Sequence, residues 1–291
     1  MSWRVVVVSS NAKVDFKMNY IVVRTLDSAR RIHISEISVL LLESTAISIT
    51  AYALSELLRE KVKVIFCDHD RNPCGELMSL NSGYDSCERI RQQIRWTDAA
   101  KQVVWTEIVR EKIKNQRDVL RKRNLPQAAQ LNAYLEQLEL NDATNREGHA
   151  AKVYFNALFG KGFTRTEDNL INSALNYGYG IILSAINREV TIAGYLTQLG
   201  IYHDNTYNTF NLGCDFLEPF RPMVDNAVVN MSLSQFEHQE KIQLVSLLNS
   251  EVEISGRTHY LTYALRIYCK SLFTALQSGN AEDIKHISYE L

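Results

Sequence analysis

The residues best suited to chemistry are a few carboxylates and one histidine in the C-terminal two thirds of the 291-residue chain. The richest segment is "CDFLEPFRPMVD", residues 214–225, which holds two of the four prolines of the chain and three acids. Asp215 and Glu218 are three residues apart and would face the same way on a helix. Pro219 disfavours the helical conformation of Glu218, which predicts a bend or break there. Carboxylates fixed on a rigid backbone suit a divalent metal ion. A proline-started helix with ordinary capping acids, Asp225 among them, explains the same residues equally well.

A further carboxylate, Glu147, lies near the start of an otherwise apolar segment, "NREGHAAKVYFNALFG" (145–160). Helical spacing places it beside Ala150 and Tyr154, and a carboxylate at the edge of a buried face needs a partner because an unpaired buried charge is costly. An N-terminal carboxylate stabilised by the helix dipole explains the same position. His203 follows an apolar helix and a glycine, which predicts a loop, where a single histidine is more often a surface or capping residue than a ligand.

Charge is distributed unevenly along the chain. Residues 89–123 contain eleven Lys or Arg and four Asp or Glu, a local balance of +7, although the formal net charge of the whole chain is −1. Such an asymmetry is typical of a nucleic-acid-binding surface. A solvated helix face with ion pairs one turn apart explains it as well. Trp96 and Trp105 within this segment are predicted to be core residues rather than base-stacking platforms.

The elements that must position these residues fall into two groups. We predict an α+β protein with a small β-rich domain at 1–80, a linker at 81–87 and a larger all-α domain at 88–291. Short runs rich in Val and Ile, and the alternation in residues 13–20, predict strands in the first part, with one helix at 50–61. Helices are predicted in the second part at 88–123, 127–139, 145–159, 167–187, 189–199, 234–249 and 257–277.

Composition is that of an ordinary globular protein, with 46% hydrophobic and 22% charged residues. Five cysteines have neither zinc-ligand spacing nor the even count of a disulfide framework, so we expect reduced thiols in a cytosol. The valine run near the N-terminus is too short for a signal peptide, and no stretch approaches the roughly 20 apolar residues of a membrane span. We therefore expect a cytoplasmic protein with no membrane partner.

Four blocks in the chain resemble, in this order, the CRISPR adaptation integrases, the first CRISPR-associated protein family, which insert new spacers into the repeat array. The blocks are "NREGHAAKVYFNALFG" (145–160), "NLINSALNYGYGIIL" (169–183), "GYLTQLGIYH" (194–203) and "FNLGCDFLEPFRPMVD" (210–225). "EKIKNQ" (111–116) and the N-terminal "WRVVVV" also resemble the form found with type II systems. "REGHAA" and "EPFRP" are most similar to subtype A. The resemblance spans nearly the whole chain, and several ordered blocks are more specific than any one of them.

The resemblance implies an N-terminal β domain and a C-terminal helical catalytic domain, paired as a homodimer in the cytoplasm of a prokaryote. It places the catalytic metal ligands at Glu147, His203 and Glu218, with Mg²⁺ or Mn²⁺ as the ion. Many relatives have Asp at the third position, where this chain has Glu218. Asp215 matches an acid that would support the site from behind its ligands. Asp225 matches as well, with a less defined role.

The implied reaction is a transesterification, in which a 3′-hydroxyl of captured foreign DNA attacks a phosphodiester at the leader–repeat boundary of the CRISPR array. A divalent ion would lower the pKa of the attacking hydroxyl and neutralise charge on the phosphate. Lys152, Arg221, Arg91 and Arg95 are candidate contacts to DNA phosphates. The implied partners are double-stranded DNA and a small ferredoxin-like companion, the second CRISPR-associated protein, in a heterohexamer. The type II effector nuclease and, in subtype A, a ring-forming DNA-binding protein would join them.

Two other functions fit parts of the same sequence. An HD-type metal phosphohydrolase would use His149, His203, Asp204 and Asp225, which occur in the required order, but it leaves Glu147 and the "EPFRP" segment without a role. A helical DNA-binding scaffold without catalysis would explain the basic segment alone.

Overall fold

A computed structural model of the protein describes residues 4–79, 85–231 and 233–289. Most of the predicted linker, residues 81–84, lies outside the described residues. Helix α2 (Ser86–Ile94) begins at the second-last residue of the predicted linker, and the linker itself stays a prediction.

The described N-terminal residues form two β-sheets and one helix, α1 (Ala51–Arg59). The strands are β1 (Arg4–Val8), β2 (Ala12–Lys17), β3 (Tyr20–Arg24), β4 (Ala29–His33), β5 (Ile37–Leu42), β6 (Ile47–Ile49), β7 (Lys63–Cys67) and β8 (Pro73–Leu77). One sheet has the order β1-β5-β7-β8, with β8 antiparallel to three parallel strands. The other has the order β4-β3-β2-β6, antiparallel except for the pair of β2 and β6.

The alternating segment at 13–20 is a hairpin rather than one strand. β2 ends at Lys17, which pairs with Tyr20, and the two residues between them have positive φ, 50° at Met18 and 64° at Asn19. Two consecutive left-handed residues give the tight turn whose twist matches that of antiparallel strands. The prediction of a continuous strand was therefore wrong, because the alternation of residue types runs through the turn and carries no information on the sign of φ.

Strand β5 is buried on both faces and connects the two parts of the chain. Leu40 and Leu42 pack into the N-terminal core, whereas Val39 and Leu41 pack into the large core built by the helices. A parallel strand covered on both sides has a continuous apolar sequence, as "ISVLLL" has. The sheet and the helices thus share packed surface, and the domain boundaries at 80 and 88 stay predictions.

The described C-terminal residues are mainly helical, which confirms the predicted α+β fold class. The helices after α2 are α3 (Asp98–Lys122), α4 (Ala128–Glu136), α5 (Arg146–Phe159), α6 (Leu170–Ile192), α7 (Asn211–Leu217), α8 (Arg221–Met231), α9 (His238–Ser246) and α10 (Leu261–Ser278). A small antiparallel sheet of β9 (Glu251–Ile254), β10 (Arg257–Tyr260) and β11 (Ile287–Ser288) accompanies them, so this part is not purely helical. No helix within the described ranges is long and apolar enough to span a membrane.

Several predicted helices have different limits in the structure, and three cases show why. The long helix at 88–123 is interrupted at Arg95–Thr97, where the Thr97 hydroxyl accepts a hydrogen bond from Ala100 N and starts α3. The helix predicted at 257–277 begins only at Leu261, because the residues before it pair with β9. The helix predicted at 189–199 ends at Ile192 as the last turn of α6. Caps and strand partners, not periodicity, decide these limits.

Candidate active site

The segment with two prolines folds as two helices joined by one tight turn. Helix α7 ends at Leu217, a 3₁₀ turn spans Glu218–Phe220, and α8 follows directly. Glu218 keeps helical angles, φ −51° and ψ −43°, although it precedes Pro219. The predicted interruption is therefore present as a change of helix type, and the predicted avoidance of the helical region at Glu218 was wrong.

The neighbouring α3 helix fixes this turn in place. The Asn115 side-chain amide donates to the Pro219 carbonyl oxygen at 2.9 Å, and the Tyr289 hydroxyl donates to the same oxygen, also at 2.9 Å. Two hydrogen bonds to one buried carbonyl hold the backbone next to Glu218 in a single position. The segment "EKIKNQ" supplies Asn115 and, three residues earlier on the same face, Lys112.

Lys112 joins the carboxylates of Glu147 and Glu218. Its buried ammonium lies 2.6 Å from Glu147 Oε1 and donates a hydrogen bond to Glu218 Oε2. Arg221 Nε donates to the other oxygen, Glu218 Oε1, at 2.8 Å. Burial by itself would raise the pKa of the Glu218 carboxyl, but Arg221 and Lys112 outweigh it and lower the pKa to about 2. Burial would likewise lower the pKa of Lys112, but Glu218 and Glu147 outweigh it and raise that pKa.

The start of α5 is organised so that Glu147 can reach this cluster. The Asp142 carboxylate accepts hydrogen bonds from the backbone N–H groups of Arg146, at 2.6 Å, and Glu147, at 3.1 Å, and the Asn145 side chain accepts one from Gly148 N at 3.3 Å. These two residues therefore cap the helix. The Glu147 side chain does not cap the helix, and its partner is Lys112. The alternative that Glu147 only interacts with the helix dipole therefore does not account for its position.

His203 is held by Asp215. Nδ1 of the imidazole lies 2.7 Å from Asp215 Oδ1, and the fully buried carboxylate also accepts backbone N–H groups from Ile201 at 2.6 Å, Tyr202 at 3.3 Å and His203 at 3.0 Å. With Asp215 ionised, Nδ1 carries the proton and Nε2 keeps its lone pair for a ligand. The hydrogen bond to Asp215 raises the pKa of the His203 imidazole, against the opposing effect of partial burial, and the charges of Glu218 and Glu147 raise it further.

The loop before His203 depends on Gly200 and Trp105. A Cβ atom on Gly200 would lie 2.2 Å from the His203 carbonyl oxygen and 2.8 Å from Asp215 Oδ2, so only glycine allows the loop to close over the carboxylate. Trp105 is fully buried, stacks on the Tyr202 ring at 4.2 Å between centroids and meets the His203 ring edge-on at 5.7 Å. The prediction that Trp105 is a core residue is confirmed.

The three predicted metal ligands come together only in part. Glu147 and Glu218 converge on one cation, the Lys112 ammonium, and the charges of both reach His203. Nowhere in the described ranges are three His, Cys, Asp or Glu side chains placed to share one metal ion. Two carboxylates and one imidazole nitrogen are nevertheless a donor set that suits Mg²⁺ and, with the nitrogen, Mn²⁺. By type the donors fit such an ion, and Lys112 holds the two carboxylates in the conformation seen here.

Comparison with known proteins gives the family. Residues 5–251 match the family model described as "CRISPR associated protein Cas1". The chain belongs to the Cas1 family. It is 30% identical to the CRISPR-associated endonuclease Cas1 of Neisseria meningitidis, over 98% of this chain and 96% of that one.

Solved structures have the same fold. A chain of a Cas6-RT-Cas1–Cas2 complex superposes with a TM-score of 0.72 at 18% identity, covering 97% of this chain and 36% of that one. A casposase bound to an integration product superposes with a TM-score of 0.70 at 17% identity, covering 97% and 92%. At these identities the likeness concerns the fold, and membership in the Cas1 family rests on the sequence matches.

The other predicted site residues of this Cas1 family member have different surroundings. Asp225 is fully buried and accepts a hydrogen bond from the Tyr179 hydroxyl, away from the three ligands. Arg221 is engaged by Glu218 and lies 4.6 Å from the Tyr179 ring centroid. The remaining three candidates for DNA contacts are on the surface, namely Lys152, Arg91 and Arg95.

The basic segment contains both of the arrangements that the sequence left open. Several of its charges are paired one turn apart on α3, such as Arg110 with Glu107 at 3.1 Å and Lys114 with Glu111 at 3.1 Å. Lys112 is paired with Glu147 and Glu218 instead. The excess of positive charge remains, so the DNA-binding role of the segment stays a prediction.

The residues of the phosphohydrolase alternative do not form one site. His149 is exposed on α5 and packs against the Tyr134 ring at 6.2 Å, whereas Asp225 is buried beside Tyr179. His203 is bound by Asp215 rather than by Asp204, which is exposed. The four residues therefore follow the order of an HD motif along the chain without forming its site in the structure.

Sequence reasoning missed four residues on which the site depends: Lys112, Asn115, Asp142 and Gly200. Lys112 and Asn115 belong to the quoted block "EKIKNQ", where their spacing of three residues is a usable signal of a shared helix face. Asp142 precedes α5 by four residues, which is further from the helix start than the usual capping position, and the sequence offered little indication of its role. Gly200 had no signal, because the close approach that requires it is a contact with residues further along the chain.

Proposed function

We propose that the chain is a divalent-metal-dependent DNA integrase that joins the 3′-hydroxyl ends of captured foreign DNA to the leader–repeat of a CRISPR array. The observation that supports this most is the convergence of Glu147 and Glu218 on one cation, beside an imidazole whose Nε2 faces away from its anchoring carboxylate. Mg²⁺ or Mn²⁺ bound there would lower the pKa of the attacking hydroxyl and neutralise charge that develops on the phosphate.

The residues of the chain prepare this chemistry by fixing the donors. Asp215 sets the tautomer and orientation of His203, so that Nε2 is available without a search among rotamers. Arg221 and the 3₁₀ turn fix the position of Glu218, and the caps of α5 do the same for the backbone of Glu147. Because the donors are preorganised, little reorganisation remains when substrate binds.

We propose double-stranded DNA as the substrate and a homodimer as the active unit, with a small Cas2-type companion in a heterohexamer. A structural neighbour is part of a Cas1–Cas2 complex and another is bound to an integration product, which supports both partners. The assignment to type II subtype A, and with it an effector nuclease and a ring-forming DNA-binding protein as further partners, rests on the blocks "REGHAA" and "EPFRP".

Strand transfer tests the proposal directly. Purified protein and its companion are mixed with a labelled duplex carrying free 3′-hydroxyls and with a supercoiled leader–repeat plasmid, in Mn²⁺ or in EDTA. We expect label to join the plasmid only with the metal, and His203→Ala to abolish joining. His69→Ala is the matched control, since that histidine is on the exposed turn after β7.

Other outcomes identify other functions. DNA binding without joining under every metal condition would overturn the proposal in favour of a binding scaffold. If joining persists in EDTA, the proposed dependence on a metal ion is wrong.

The candidate DNA contacts are tested by the salt dependence of binding. Removing a side chain that binds one phosphate should reduce the slope of log K against log salt by roughly 1. We expect this for Lys152→Ala and Arg95→Gln, with affinity weakened equally for all DNA sequences. An unchanged slope would remove the residue from the interface.

A further inference from the structure

Lys112 is a buried charge for which the proposed reaction has no use. Its ammonium lies between Glu147 and Glu218, the two residues that would bind a metal ion through their carboxylates, and it contacts both. It reaches them from α3, whereas Glu147 lies on α5 and Glu218 on the turn after α7. A side chain from one helix therefore occupies the position at which two others present their negative charge.

The charges of this cluster balance without a metal ion. Glu147 and Glu218 contribute two negative charges, and Lys112 and Arg221 contribute two positive charges. Adding a divalent ion while every one of these ion pairs remains would leave an excess of two positive charges in a largely buried place, which is costly. Of the two carboxylates, Arg221 contacts that of Glu218. It binds Oε1, whereas Lys112 binds Oε2. Lys112 is thus the cation whose departure would free oxygens of both carboxylates at once.

We propose that Lys112 is a tethered internal cation, which holds Glu147 and Glu218 together before the metal ion binds and competes with that ion for their oxygens. The inference rests on the proposed metal-dependent function. Metal binding is then an exchange of one cation for another. The site with Lys112 therefore binds the metal ion more weakly than the same two carboxylates would without the lysine charge. Lys112 acts as a positioning residue.

Metal binding and stability without metal test this role. Lys112→Met keeps most of the length of the side chain and removes the charge. We expect Lys112→Met to bind Mn²⁺ at least about tenfold more tightly than the wild type, as counted by electron paramagnetic resonance of free Mn²⁺, and to unfold at lower urea concentration when no metal is present. Lys114→Met, two residues along α3 and paired with Glu111, should leave Mn²⁺ affinity unchanged.

A second measurement needs no variant and covers the case in which Lys112→Met does not fold. An ammonium held by two carboxylates exchanges its protons slowly and gives a nitrogen-15 signal in the metal-free wild type. We expect this signal to shift or disappear as Mg²⁺ is added, over the same concentrations at which Mg²⁺ binds.

The outcomes separate the inference from the function on which it rests. Equal or weaker Mn²⁺ binding by folded Lys112→Met, or an ammonium signal unaffected by bound Mg²⁺, overturns the role of Lys112 while metal-dependent joining by the wild type stands. Failure of both wild type and Lys112→Met to bind Mn²⁺, together with joining in EDTA, overturns the metal site itself. Tighter binding by Lys112→Met and not by Lys114→Met supports the exchange.

Discussion

Glu218 and Asp225 are two buried acids seven residues apart, and their environments are opposite. Glu218 receives a cation on each oxygen, from Lys112 and Arg221, and its pKa is lowered to about 2. Asp225 faces phenols instead: the Tyr179 hydroxyl donates to Oδ1, and the Tyr154 phenol also lies against the carboxylate. Burial therefore raises the pKa of Asp225 to about 7. The depth of burial is similar, so the partners decide the charge.

A third acid in the same segment has yet another kind of environment. Asp215 is as buried as Asp225, yet it accepts three backbone N–H groups and the His203 imidazole. Hydrogen bonds to a carboxylate stabilise its charged form. One short segment thus places one acid against cations, one against backbone donors and one against a phenol. The first is a candidate metal ligand, the second orients the His203 imidazole, and the third is paired with a phenol.

Glu218→Gln should have the largest effect, because it removes the charge on which the comparison depends. Loss of one metal ligand costs several kcal/mol of transition-state stabilisation, and we expect strand transfer to fall by about 10³-fold or more. Arg221 would lose its counter-charge, which should lower the free energy of unfolding by roughly 3–5 kcal/mol. Joining assays and urea unfolding measure the two effects. Glu139→Gln, at an exposed position before α5, is the matched control, and strand transfer retained by Glu218→Gln would contradict the site.

Asp225→Asn should remove a pH dependence of stability. Folded Asp225 holds its proton up to about pH 7, whereas the unfolded chain releases it near the ordinary pKa of 3.8. The folded state is therefore favoured by its bound proton at low pH, and this advantage is lost as the pH rises from about 4 to about 7. The loss amounts to at most about 4 kcal/mol, at ~1.36 kcal/mol per pKa unit. Urea unfolding at pH 5 and pH 8 should show a smaller pH difference for Asp225→Asn than for the wild type. An equal difference would show that Asp225 is ionised when folded.

Gly200→Ala should perturb the third acid without touching its charge. The added Cβ would overlap the His203 carbonyl oxygen and crowd Asp215 Oδ2, so the loop must move. We expect a loss of about 1–3 kcal/mol in the free energy of unfolding and reduced strand transfer. Gly162→Ala is the control, since its Cβ would meet nothing within 4 Å. If both variants behave alike, the close approach at Gly200 does not constrain the site.

Tyr179→Phe should have the smallest effect on stability. It tests how far a phenol partner, rather than a cation, influences the pKa of Asp225. It removes the hydroxyl that donates to Asp225 while keeping the ring over which Arg221 lies. Loss of that hydrogen bond should raise the pKa of Asp225 further and cost about 1 kcal/mol of stability. The pH at which stability is lost should then move upward in the unfolding experiment, with strand transfer unchanged. A downward movement would mean that Tyr179 is not the group that stabilises the Asp225 carboxylate.

Much of the fold can be predicted from local sequence patterns. Some ends of strands and helices cannot, because they depend on contacts with residues that are remote in the chain. The apolar run of β5 and the capped start of α5 are local, because burial on two faces and a capping asparagine are written in adjacent residues. The turn at Met18 and Asn19 and the late start of α10 are not, because the same residue types continue across both points. A strand partner for residues 257–260 exists only once β9 lies beside them.

The sequence by itself named the three candidate ligands of the proposed site. Glu147, His203 and Glu218 stand in ordered blocks that identify the family, and Pro219 marks a change in the helix beside them. The tertiary structure alone decided what each group faces. Lys112 meets Glu147 and Glu218 across 35 and 106 residues of chain. Electrostatic energy depends on distance in space. Folding brings charges that are remote along the chain to within hydrogen-bond distance, and the pKa values that result cannot be predicted from residues adjacent in sequence.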